Sequence, residues 1–122
     1  MEAITFYGNI AEEAPIPEKG MISRTVCNDD LARVVAFGFA PGHELAAHTA
    51  PVPAILYFVA GEAELTLGTG LEKRRVKAGA FIHMPAQTRH GILALTPLTM
   101  LLIMLKKTTA AGGDQRANEK QT

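Results

Sequence analysis

The chain has 122 residues, with twelve Lys and Arg against twelve Asp and Glu, so no net field draws in nucleic acid or anionic lipid. Apolar residues make up 48% of it, yet Trp is absent and aromatics are only 6%, which implies one domain with an aliphatic core. Cys27 is the only cysteine, which excludes an internal disulfide and a cysteine-built zinc site and suits a reducing cytoplasm.

The opening Met1-Glu2-Ala3-Ile4-Thr5 has neither the basic region nor the apolar run of a signal peptide. Residues 1–20 hold Pro15, Pro17 and Gly20 in an acidic, weakly patterned stretch, read as an arm with one edge strand. From Met21 short apolar runs alternate with turn signals. Met21–Cys27 ends at Asn28-Asp29-Asp30, whose side chains suit a turn. Leu31–Phe39, a Pro41-Gly42 turn and a segment up to His48 follow. Then come Ala54–Val59, Gly61, the alternating Glu62–Leu67, and Gly68-Thr69-Gly70. Leu71–Val76 leads through Ala78-Gly79 to Phe81–Met84, Pro85 and a turn to His90. Ile92–Leu95, a break at Thr96-Pro97, and Leu98–Lys106 complete the series.

Strands of this length at this spacing, with no sustained helical period, predict an all-β antiparallel sandwich or barrel of about ten short strands over 21–107. Residues 108–122 are polar and read as a disordered tail. The longest apolar stretch, Met100–Leu105, is far short of the roughly 20 residues that cross a bilayer, so the expectation is a cytoplasmic protein with neither nucleic acid nor membrane as partner. Two segments, Ile55–Val59 and Met100–Leu105, are apolar on both faces. A small barrel buries only one face of each strand, so the other is covered by arm or loop residues or by a second copy; the reading adopted is a homodimer.

From Gly42 to His90 the chain resembles the cupin superfamily, in particular small single-domain bacterial cupins of the conserved-barrel type 2. That family's first motif runs Gly, five residues, His-x-His, three or four residues, Glu, six residues, Gly. Gly42, His48 and Gly61 stand at those spacings, with Ala50 at the second histidine and Ala54 at the glutamate. The second motif runs Gly, five residues, Pro-x-Gly, two residues, His, three residues, Asn. Gly79, Pro85 and His90 match it, with Gln87 at the second glycine and Ala94 at the asparagine. The stretch His48–Ala54 also resembles a variant of short bacterial cupins with alanine at both sites. The resemblance covers about residues 21–106 and implies a jelly-roll barrel. Without the family, Gly42, Gly61 and Gly79 still read as turn residues, and Pro85 as the stop of the Phe81–Met84 strand.

In metal-binding members three histidines and a glutamate face the barrel interior. Carried over residue by residue, only His48 and His90 remain, because alanine offers no lone pair. Two imidazoles are too few for zinc or iron, so no cofactor is assigned; the alternative is a divalent metal, Zn, Ni or Fe, completed by another donor. His83, Glu44, Gln87, Met84, Met100 and Met104 are the candidates. Period 2 puts His83 on the face of Phe81, and inward and outward readings of that face both fit. His43, at a turn, reads as exposed, and Cys27 as a small core residue.

Two functions are weighed. The first is a small-molecule-binding barrel with a pocket lined by His48, His90, Gln87, Ala50, Ala54 and Tyr57, the alanines making its centre more apolar. The second is an enzyme: a dioxygenase- or isomerase-like protein with a variant metal site, or a metal-free acid–base catalyst using the two histidines. Catalytic residues are not assigned.

Overall fold

Nine strands and one short 3-10 turn make up residues 3–106, the part of the chain described by the computed structural model. The tail read at 108–122 lies outside the described residues. After the 3-10 turn (Ile10–Glu13) come β1 (Met21–Asn28), β2 (Ala32–Phe39), β3 (Glu44–His48), β4 (Ala54–Ala60) and β5 (Glu62–Leu67). β6 (Glu72–Lys77), β7 (Phe81–Met84), β8 (His90–Ala94) and β9 (Leu98–Leu105) follow. All pairs are antiparallel and form two sheets, ordered β1-β2-β9-β4-β7 and β3-β8-β5-β6. The all-β class is the one expected from the strand spacing, with nine strands among the described residues where about ten were expected, and the two antiparallel sheets are consistent with the jelly roll that the resemblance implied. Among the described residues no helix is long and apolar enough to cross a membrane.

The turns are built from the residues that signalled them. Asp29 Oδ1 accepts hydrogen bonds from the backbone N–H groups of Leu31 and Ala32 at 2.8 and 3.0 Å, closing the β1–β2 hairpin. These two bonds, with Lys106 nearby, hold the Asp29 carboxyl below its ordinary pKa. Gly42, Gly61 and Gly79 all have φ between 85° and 96°, the left-handed region.

Between the sheets, alternate residues supply the core. Ala54, Leu56 and Phe58 of β4 meet Leu98 and Met100 of β9, Phe39 of β2, and Ala63, Leu65, Ile92 and Ala94 of the other sheet. Each is nearly or fully buried, and the cluster is aliphatic apart from two phenylalanines.

The outer face of the five-stranded sheet carries two apolar rows in register. One runs Ala36, Leu101, Tyr57, Phe81, and the other Val34, Ile103, Ile55, His83. The arm covers the β2–β9 end of these rows. Ala14, fully buried, packs with Val26 and Ala36, and Tyr7, Ile10, Val34 and Leu101 complete that cluster. Tyr7 donates its hydroxyl to the Val26 carbonyl (3.1 Å), and Glu13 pairs with Arg24 (3.0 Å). Gly38 makes this possible, because a Cβ there would run into the Ala14 carbonyl. Residues 3–20 thus hold a 3-10 turn and a docked segment where an edge strand was expected. The β4–β7 end stays open, with Tyr57 38% and Phe81 63% exposed.

Candidate functional site

Strict alternation along β3 would send Leu45 and His48, three residues apart, to opposite faces. The ladder avoids this with a bulge: Leu45 pairs with Ile92 and His48 with His90, so three steps on β3 match two on β8. The extra residue turns His48 to the inward face that Leu45 and Ile92 share. The two imidazoles lie 4.5 Å apart between centroids, tilted at 51°. Gly91 permits the bulge. A Cβ there would stand 3.1 Å from the Ala47 nitrogen, 3.2 Å from its Cα and 2.7 Å from Thr66 Oγ1, so a side chain would push β3 off β8. Neither the bulge nor Gly91 was read from the sequence, although the odd spacing from Leu45 to His48 was an available signal.

Each ring is fixed through Nδ1. His48 Nδ1 lies 3.0 Å from the Ala46 carbonyl oxygen, and His90 Nδ1 lies 3.0 Å from that of Thr88. A carbonyl only accepts, so each Nδ1 donates its N–H, and in the neutral tautomer this leaves Nε2 as the acceptor. His90 is 5% exposed, whereas His48 stands at the open end. Burial pushes the His90 pKa below its ordinary 6.5, against the raising effect of the Thr88 bond, and His48 adds a smaller push down.

The other candidates divide by face. Ala54 is 2% exposed and pairs with Met84 on one side and Met104 on the other, so two thioethers flank the position where the resemblance expects a carboxylate. Ala50 is half-buried, and its carbonyl accepts the Gln87 N–H at 2.8 Å, tying the β3–β4 loop to the β7–β8 loop. Gln87 is exposed and adopts φ 67°, the left-handed conformation that its glycine counterpart takes without strain. His48, Ala50, Ala54, Met84, Gln87 and His90 therefore collect at one end of the barrel.

Tyr57 does not line this end. It follows inward Leu56 and precedes inward Phe58, and so faces outward beside Phe81. His83 is corrected in the same way, since it pairs with Ile55 on the outer face and is exposed. Glu44 pairs with Leu93 on the outer face of β3, and Met100, 1% exposed, is core. His43 is half-buried against Phe39 (5.8 Å between centroids) rather than free, and Cys27 is half-buried beyond a bulge in β1.

Among the described residues no three of His, Cys, Asp and Glu come together. Two imidazoles flanked by alanines do not fit a zinc, nickel or iron site of three or four such ligands.

The Cupin domain model matches residues 35–104. Among solved structures, a conserved protein of unknown function from Streptococcus pyogenes is 28% identical, over 88% of this chain and 92% of that one, with a TM-score of 0.76. KdgF from Halomonas sp. is 27% identical over 86% and 96% of the two chains, with a TM-score of 0.70. The polyketide cyclase RemF from Streptomyces resistomycificus shares the fold at 18% identity, over 77% and 73%, with a TM-score of 0.64. No curated protein matches by the same standard. The matched segment holds β3 to β8 whole, most of β2 and β9, and both histidines of the candidate site, and the chain belongs to the cupin family.

Proposed function

We propose that the chain is a small-molecule-binding barrel whose ligand rests against His48 and His90. One observation carries this reading: both rings are held through Nδ1 by backbone carbonyls and stand 4.5 Å apart between centroids, beside an otherwise apolar interior. Apolar walls with a few convergent polar atoms are how small-ligand sites are built. A metal-dependent enzyme is the less favoured reading, because the donor set is two imidazoles and two alanines. We also propose that the chain is a homodimer, the uncovered Tyr57 and Phe81 on the outer sheet face being the feature that favours it.

The test is to denature chelator-free protein and analyse both what it releases and its metal content. A small organic molecule released by the wild type and missing from the His48→Ala and His90→Ala variants is the expected outcome. Stoichiometric metal in the wild type, lost in both variants, would overturn the metal-free reading.

A further inference from the structure

The two histidines restrict what kind of molecule they can hold, beyond the fact that they hold one. Each spends its only neutral-form N–H on a backbone carbonyl at 3.0 Å. What each ring has left for a ligand is a lone pair. Their closeness, 4.5 Å between centroids, opposes charging both rings at once, and the burial of His90 disfavours its cation further.

Among the buried side chains of the described residues there is no compensating donor, and Gln87 with its amide is exposed. The buried polar side chains among the described residues are His90 and Thr99, and Thr99 lies on the other face of β9, paired with Gly38 and Ala60. His90 is flanked in register by Leu67 of β5, and Leu45 pairs with Ile92 one pleat below. The bases nearby are exposed, and three of them are engaged by other groups. Arg33 lies in the row of Met104, Ala54 and Met84, but its Nε and Nη2 reach Thr25 Oγ1 at 3.3 and 3.1 Å. Arg74 and Arg75 are exposed and pair with Glu72 and Glu62, and Arg89 is exposed. A carboxylate or phosphate placed against His90 would therefore meet ring acceptors with no buried donor to offset its desolvation, which is costly.

Resting on the binding reading above, we infer that this end of the barrel takes an uncharged molecule with an apolar body that donates an O–H or N–H to one of the two Nε2 atoms, and that it discriminates against anions. Phenols and apolar alcohols are the simplest members of that class. A molecule of the same shape without the donor leaves that acceptor unpaired, and one hydrogen bond is worth up to about tenfold in affinity.

The experiment uses the full chain, labelled with nitrogen-15, at pH 7.5, and follows the imidazole nitrogens while phenol, anisole or benzoate is added. The free protein should show both rings protonated at Nδ1. Phenol should move the Nε2 resonances of His48 and His90 and bind about tenfold more tightly than anisole or benzoate. In His90→Phe the preference of phenol over anisole should shrink; if that variant does not fold, His48→Phe at the exposed position serves for the same comparison. Rings protonated at Nε2, equal binding of anisole, or benzoate binding as well as phenol would each overturn the donor rule. Anisole or benzoate moving the same resonances would leave the binding reading standing, whereas no response to any of the three would remove both.

Discussion

His90 is the residue where burial and chemistry meet, and its pH dependence has a definite sign. Its folded pKa is depressed below the ordinary 6.5, so the unfolded chain binds the proton more readily than the folded one. The associated stability is complete above about pH 6.5 and is lost as pH falls through the depressed folded value, below which it no longer changes. Melting temperature should therefore fall on acidification below pH 6.5, and less steeply in His90→Gln than in the wild type. An unchanged slope in the variant would show that another group carries the transition. Gln87 makes the second prediction at this scale. A non-glycine residue in the left-handed region costs about 1 kcal/mol or more, so Gln87→Gly should raise stability by roughly that amount in denaturant unfolding. The Gln87–Ala50 backbone bond can persist, because the substitution leaves the N–H in place. A loss of stability instead would mean that the glutamine side chain holds the loop.

At the scale of elements, the β3–β8 pair makes the site and Gly91 lets it form. Gly91→Ala puts a methyl within 2.7 Å of Thr66 Oγ1 and 3.1 Å of the Ala47 nitrogen. The threonine side chain can rotate, but the bulged backbone must shift. Overpacking of this kind costs about 1–3 kcal/mol. The expected result is a less stable protein in which nuclear Overhauser contacts between the His48 and His90 rings weaken. Retained contacts at full stability would show that the bulge does not depend on this glycine. The same scale explains why strand positions were readable while side-chain directions were not. Ala63 and Leu65 face inward and Glu62 and Glu64 outward, as their unbroken alternation implies. β8 starts at His90, not Ile92, because the Leu67 partner extends the ladder through a residue that read as part of a turn. In β3 the alternation breaks, and only pairing with β8 shows where.

For the whole molecule, the two strands that read as apolar on both faces resolve differently. The outward Leu101 of β9 is covered by the arm through Ala14, Tyr7 and Ile10, so its second apolar face is explained within one chain. The outward Tyr57 of β4 is not covered, and neighbouring Phe81 is 63% exposed. A dimer through this face should give twice the chain mass by light scattering at micromolar concentration, and Phe81→Lys should return the monomer mass. A monomeric wild type would refute it.

Short apolar runs and the Gly, Pro and Asx punctuation were local properties, and the sequence by itself determined from them the β architecture and its turns, while the cupin resemblance singled out His48 and His90 as candidates. Alternation also determined which residues share a face. It did not say which face is inside, because that depends on the sheet packed above. Tyr57, His83 and Glu44 turned out to face away for this reason. The meeting of His48 with His90 was likewise a tertiary decision. Strand period 2 places His48 opposite to Leu45, and only a bulge accommodated over Gly91 brings the ring inward beside His90.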